Sequence, residues 1–398
     1  MERIVIIGAG IAGLFTAYNL LKKNKYEIII IEKENEIGGR LYTQQVNIDN
    51  HTFYLEGGAG VFRDDDKNVV KLLNELNISY NLWKSNTDVI YSKDNENQIL
   101  NNDYEKVIYN LCKYKQNNKS FIDILQNNNN LEDIEKIAVL IGTTYTELFN
   151  ANSKNVCNNN DFFEFLYSNK HQFGKPKAWN ELPQYLEKEI LALGGKIITN
   201  TSVVEINKNF VKTNNSSKFK YDKLIVTCPY HYFIKIKLNI DLNLWKQNIE
   251  SYHEEIDYLR VYSYFKEPLI LKNKIATNLS IRRVIPLSDK MIMTIYTDGF
   301  DATHINKLCK NKNKLDNLIK AELKTLLHHD IPSIEKNWCF FWKKGISYWK
   351  PSDISVKEII KKIRNPISNI YFCGDTYSEF PGWIESAIKS CNFIIKKL

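Results

Sequence analysis

No Cys-x-x-Cys pair occurs among the seven cysteines of this 398-residue chain, and their number is odd. Neither fact suits a structural zinc site. Cys228, Cys339 and Cys373 lie within the apolar runs "VTCP", "NWCFF" and "YFCGD", the placement of small buried hydrophobes that stay reduced. His328-His329-Asp330 offers only neighbouring residues, which diverge around a helix end, so no metal centre is expected. A nucleic-acid footprint is missing as well. The formal charge is +8, yet the lysines stand in ones and twos among asparagines and acids, and Asp64-Asp65-Asp66 interrupts any basic face. There is no internal repeat. The most apolar run, residues 4–21, contains three glycines, Thr16 and Asn19 but no small-residue cleavage site, so it reads as a strand–turn–helix and not as a leader or membrane span. The final Lys396-Lys397-Leu398 lacks the small residue of a peroxisomal address. A cytoplasmic protein without a membrane anchor is the expectation.

What is present is globular: 43% hydrophobic residues with 25% charged, in a chain long enough for two domains. The asparagine-rich "LQNNNNLED" at 125–133 reads as a solvated loop. Helical periodicity marks "YEKVIYNLCKYK", "LEDIEKIAVLIG" and "DFFEFLY" within 103–170. Residues 256–300 alternate like strands, a helix follows at about 303–327, and "NWCFFWKKGISYW" at 337–349 forms another strand.

Two stretches at opposite ends of the chain carry the chemistry. In "RIVIIGAGIAGLFTAYNLL", Gly8, Gly10 and Gly13, with Ala12 among them, fit G-x-G-x-x-G at a strand–helix junction. The first glycine permits the turn, the second lets backbone approach a pyrophosphate, and the third allows close helix–strand packing. A second strand, "YEIIIIEK", ends in Glu32, an acid placed to accept from both ribose hydroxyls. Residues 371–387, "YFCGDTYSEFPGWIESA", read as a strand, a Gly-Asp turn and a helix start that would present N–H groups to an anion or carbonyl oxygen.

With Gly38-Gly39-Arg40 following the ribose acid, the sequence resembles the flavin-containing amine oxidoreductases, which include monoamine, polyamine and L-amino-acid oxidases. "FYLEGGAGVF" at 53–62 resembles the segment beside the isoalloxazine, with Gly57, Gly58 and Ala59, although Glu56 stands where Asp is commoner. "GGKIITNTSVVEI" resembles the stretch that sets Val203 against the adenine, and "YDKLIVTCP" the strand that closes the flavin domain. The resemblance implies an α/β protein: a Rossmann-like FAD-binding domain (1–75, 176–235, 362–398) and a discontinuous α+β substrate domain (76–175, 236–361). It also explains the two ends. FAD is extended, so the N-terminal loop holds its ADP half. Arg40 would meet the pyrophosphate, Gly374-Asp375 the ribityl and phosphate region, and the helix start near Trp383 and Ile384 the N1/O2 edge. The family's Gly-Gly before the helix at 181–193 is missing; "KPKAWNELP" stands there.

The resemblance also implies substrate-facing residues. Trp338 and Gly345-Ile346-Ser347-Tyr348 keep the spacing of a segment whose cysteine carries FAD covalently in monoamine oxidases. Ser347 holds that position, so FAD is expected to be non-covalent. Tyr348 and Trp383 would form the two walls of an aromatic cage that orients an amine; by composition alone each reads as a core aromatic. Arg260 stands at the spacing of the family's lysine. An arginine supplies no base but could donate to water or pair with a carboxylate, or serve as an ordinary ion-pair partner. Arg63, Arg282 and Arg283 are further carboxylate candidates that otherwise read as surface positions. The expected reaction is hydride transfer from the C–N carbon of a small amine or amino acid, with O2 as acceptor. The alternatives are a desaturase of a polyene or cyclic substrate, or a non-catalytic flavin-binding protein. Oligomeric state is not legible.

Overall fold

The computed structural model describes residues 1–100, 107, 109–126, 131–141, 150–158 and 172–398. The chain forms two compact units: Met1–Leu82 with Phe173–His253 and Ser355–Leu398, and Trp83–Gln172 with Glu254–Ile354. Among the described residues no helix is long and apolar enough to cross a membrane.

The first unit is built on a five-stranded parallel sheet in the order Lys196–Ile198, Tyr26–Ile31, Glu2–Ile7, Lys223–Val226, Ile370–Phe372. Consecutive residues of its central strand, Ile4, Val5 and Ile6, are all fully buried, as a parallel strand covered on both faces requires. Helices Ile11–Leu21, Glu181–Ala192 and Ile384–Lys397 share one core with this sheet, through Leu14, Ala17 and Leu20, Leu182, Leu186 and Ile190, and Ile384, Ile388 and Ile394. Their apolar spacing of three and four puts those side chains on single faces. The C-terminal strand pairs with Lys223–Val226 in register Ile225↔Tyr371, which brings the C-terminal segment to the N-terminal loop.

The second unit centres on a seven-stranded sheet in the order Ile334–Trp349, His253–Phe265, Met291–Asp298, Arg283–Pro286, Lys274–Thr277, Thr87–Lys93, Glu96–Ile99. Strand alternation divides its faces. Ile90 and Ile275 join one apolar cluster with helices Gly299–Leu308 and Lys312–Leu327. Their neighbours Tyr91 and Ala276 join another with helices Phe121–Gln126, Leu131–Ile141 and Ser153–Asn158. The single helix expected over 303–327 is two: Asn311 takes extended backbone and its side chain accepts from Lys314 N, capping a fresh start. The periodic stretch 161–167 and the asparagines at 127–130 lie outside the described residues.

The three cysteines expected to be buried and reduced are all free, but only Cys373 is buried: Cys228 is half-buried and Cys339 exposed, a correction to their expected burial. Cys112 and Cys157 form a disulfide. The bonded pair meets because Gln116 and Ser153 exchange two bonds: Gln116 N donates to Ser153 Oγ at 3.0 Å, and Ser153 Oγ donates to Gln116 O at 2.8 Å. Apolar context in the sequence says nothing about such a cross-link. Denatured without reductant, the protein is expected to titrate five thiols, and seven after reduction. Reduction should cost about 4 kcal/mol for a loop of this length. Seven thiols before reduction would rule the bridge out.

Candidate active site

The glycine loop folds as its spacing requires. Gly8 has φ +106°, and its N–H donates to Ile31 O at 2.9 Å. A Cβ on Gly13 would stand 2.0 Å from Gly8 O, so only glycine lets the helix approach the strand. At Gly10, which opens helix Ile11–Leu21, a Cβ would meet nothing within 4 Å. The helix start therefore faces open space, and no side chain caps it. That cradle fits a pyrophosphate held by backbone N–H groups. Ala12 is buried behind it.

Glu32 follows strand Tyr26–Ile31. Its Oε2 accepts from Ala9 N at 2.7 Å and its Oε1 from Glu34 N at 3.0 Å, which leaves lone pairs for ribose hydroxyls. Backbone N–H groups of Asn200 and Thr201 donate to Glu34 O and Glu32 O, so the stretch leading to the buried Val203 runs beside this acid.

The pieces between 38 and 59 form a second layer on the loop. Gly38 N donates to Ala9 O at 2.8 Å, and Gly39 has φ +58°, with Gly10 Cα 3.4 Å from its would-be Cβ. Gly57 N donates to Tyr42 O at 2.9 Å and Ala59 N to Arg40 O at 2.8 Å; a Cβ on Gly58 would stand 1.9 Å from Arg40 O. Arg40 then spans to the C-terminal turn. Its Nη1 lies 2.9 Å from Asp375 Oδ2, while Asp375 Oδ1 accepts from Gly382 N at 2.7 Å. One carboxylate thus ties the two ends of the chain and orients Gly382, just before the helix led by Trp383 and Ile384. Gly374 takes φ +118°, and its N–H donates to Ser390 Oγ at 2.8 Å. No side chain caps helix Ile384–Lys397 either. Two uncapped helix starts and a clasped Gly-Asp turn fit an extended dinucleotide with an electron-rich ring system.

Sequence reading missed three supports. Thr227 Oγ1 donates to Ile7 O (2.9 Å) and Gly8 O (3.1 Å), holding the loop's carbonyls; its place at the end of "LIVT" was the available signal. Cys391 Sγ reaches Ala12 O at 3.5 Å, locking the C-terminal helix to the N-terminal one. Glu385 accepts from Asn68 N and Val69 N, both at 3.0 Å, at the start of helix Lys67–Glu75. Where the family's Gly-Gly is missing, Trp179 is fully buried and its backbone N–H donates to Thr43 Oγ1 at 2.8 Å, and Lys175 pairs with Glu56 at 2.8 Å. Arg63 is corrected from a surface position to a buried one, 1% exposed, because its guanidinium stacks on the Trp383 ring, 4.4 Å from the centroid.

In the second unit, Arg260 is buried on strand His253–Phe265 and pairs in register with Tyr296. Its Cζ lies 4.6 Å from the Tyr296 ring centroid and 5.4 Å from that of Tyr258. Burial opposes its charge, but Tyr258, Tyr296 and Tyr262 outweigh that and hold the guanidinium above its ordinary pKa. It serves as a fixed cation and not as a base. Arg283 is half-buried and stacks on Tyr296 at 5.1 Å, whereas Arg282 pairs with Asp301 at 3.2 Å. Ser347 is buried, and its Oγ has no hydrogen-bond partner among the described residues; Tyr348 is half-buried against the cluster containing Phe121 and Ile137. A Cβ on Gly345 would stand 2.6 Å from Trp342 Cβ, so this point in the long strand admits no side chain.

The family model described as flavin containing amine oxidoreductase matches residues 11–391. An L-amino-acid oxidase of Sistrurus catenatus edwardsii is 22% identical over 459 residues, covering 98% of this chain and 85% of its own. Two solved structures share the fold over 100% of this chain and 98% of theirs. One is a redesigned putrescine oxidase (TM-score 0.79, 15% identity), the other the wild-type enzyme bound to putrescine (TM-score 0.77, 14% identity).

Proposed function

The chain belongs to the flavin-containing amine oxidoreductases, and from that premise we propose that it oxidises a small amine or amino acid with non-covalent FAD. When bound, FAD supplies hydride acceptance from the C–N carbon and reoxidation by O2 with release of H2O2. The protein's residues hold and orient. The observation that carries this reading is the Asp375 clasp on Arg40 and Gly382, which aims the start of helix Ile384–Lys397 and leaves its N–H groups uncapped. Those donors would stabilise negative charge on the ring system they face. Trp383 at the N-cap would present its ring to the substrate; Tyr348, in the other unit, is assigned the same role on the resemblance alone. Arg260 would act as a cation toward water or a substrate carboxylate, and Ser347, a hydroxyl in place of a thiol, would leave FAD unlinked.

The test is an anaerobic absorbance titration of the yellow protein with monoamines, polyamines and amino acids. Bleaching by one class supports the oxidase and identifies its substrate class. A yellow protein bleached by none would turn the reading to a desaturase of an apolar substrate. Trp383→Ala and Tyr348→Ala are each expected to slow flavin reduction by about a hundredfold while FAD stays bound. Wild-type reduction rates in both would remove the cage assignment. After precipitation with acid, all the flavin should appear in the supernatant; flavin remaining with the protein would contradict non-covalent binding.

A further inference from the structure

Two free cysteines meet where the helices of the second unit cover its edge strand. Strand Ile334–Trp349 is the outermost of the seven, and Asn337, Cys339 and Phe341 alternate onto one face of it. That face is the one the helices cover. Asn337 Nδ2 donates to Asp316 Oδ1 of helix Lys312–Leu327 at 2.6 Å, and Phe341 packs on the apolar cluster that holds Ala302, Ile305 and Leu323. Cys309 ends helix Gly299–Leu308, where its N–H donates to Ile305 O at 3.1 Å, and it packs on the same cluster. Bonds on either side of Cys309 fix the helices in place. Thr303 Oγ1 and Lys344 N both donate to Asp257 of the neighbouring strand, at 2.7 and 2.9 Å, and Lys312 Nζ donates to Ile334 O at 2.8 Å. Between these ties the Cys339 thiol donates to Cys309, which holds Cys309 below the ordinary thiol pKa and pushes Cys339 above it. Cys309 is half-buried and Cys339 exposed, so solvent reaches the pair.

We propose that Cys309 and Cys339 form a peroxide-reactive dithiol, a modification site that closes to a second disulfide and fastens the helix pair to the edge strand. The site needs no flavin; the oxidase reading adds only that turnover would supply the oxidant, H2O2. The Cys309 sulfur, as thiolate, attacks one peroxide oxygen. The O–O bond breaks, leaving a sulfenic acid on Cys309 and a hydroxide that takes up the Cys309 proton as water. The Cys339 sulfur then displaces the sulfenic hydroxyl, which leaves as water with the Cys339 proton, and the S–S bond forms. The two sulfurs are oxidised by two electrons together, and one peroxide is reduced to two waters. Closure outruns further oxidation because the second thiol is already in contact with the first. The fully buried Cys373 and Cys391, whose thiols also meet, lie beyond the reach of peroxide and stay reduced.

The full-length holoenzyme, without substrate, is treated with a small excess of H2O2, quenched with catalase, denatured and titrated for thiols. Three are expected, the five free thiols less the two joined. Tryptic digestion without reductant should then yield Leu308–Lys310 linked to Asn337–Lys343. Closing the loop should raise the thermal midpoint by roughly 5–10 °C. Cys339→Ser should stop at a sulfenic acid on Cys309, trapped by dimedone, with no such rise. Five thiols after peroxide, a link between other cysteines, or oxygen added to either sulfur with no link between these two peptides overturns the proposal. The wild-type peptide map decides even where Cys339→Ser does not fold. Absence of flavin reduction by any amine counts instead against the oxidase reading, because the peroxide in this test is added.

Discussion

Asp375→Ala is expected to purify without yellow colour. Its carboxylate is nearly inaccessible, with the side chain 6% exposed, and it makes two contacts that nothing adjacent replaces: Arg40 Nη1 at 2.9 Å and Gly382 N at 2.7 Å. Removing it takes the carboxylate partner from Arg40, which is one-third exposed, and the acceptor from the Gly382 N–H. Both the guanidinium meant for the pyrophosphate and the turn that aims helix Ile384–Lys397 then lose a fixed contact. Truncating one member of such a charged, hydrogen-bonded set costs about 2–4 kcal/mol, a thirtyfold to thousandfold loss of FAD affinity. Asp375→Asn keeps an oxygen for Gly382 N and loses only the charge, so its affinity should fall between the two. The ratio of flavin to protein absorbance after purification, and a fluorescence titration of the apoprotein with FAD, measure the effect. Wild-type affinity in Asp375→Ala would mean that the clasp is incidental to the cofactor.

Gly10→Ala and Gly13→Ala should fail in different ways. Gly10 has φ −72° and open space where a Cβ would go, so alanine fits the apoprotein, whose thermal midpoint should hardly change. The new methyl projects into the cradle, and FAD affinity is expected to fall by at least about a hundredfold, the scale of a steric intrusion worth about 3 kcal/mol. At Gly13 the methyl would stand 2.0 Å from Gly8 O and 3.1 Å from Thr227 Oγ1. The helix would have to back away from the sheet, destabilising the first unit by about 3 kcal/mol or more before any cofactor is considered. Calorimetry of the two apoproteins with FAD titration separates the cases. A Gly10→Ala protein that binds FAD normally would remove the pyrophosphate from this cradle.

Much of this was legible in the chain itself. Strand Glu2–Ile7, the glycine turn, helix Ile11–Leu21 and strand Tyr26–Ile31 follow from a run of Ile and Val, three glycines at fixed spacing and an apolar period near 3.6. All of these act within about thirty residues, where backbone sterics and hydrogen bonding decide the outcome. The Gly-Asp turn before Ile384 was legible for the same reason.

Tertiary structure alone decided the partners. Arg40 and Asp375 are 335 residues apart, and no local pattern announces that they pair. The same holds for the guanidinium of Arg63 on Trp383, for Arg260 between Tyr258 and Tyr296, and for the disulfide that joins Cys112 to Cys157. Sequence spacing encodes the period of a helix or strand and the conformations a turn needs. Which side chain meets which across the molecule is settled only when sheets close and burial forces each charge to find a ring, an opposite charge or a carbonyl.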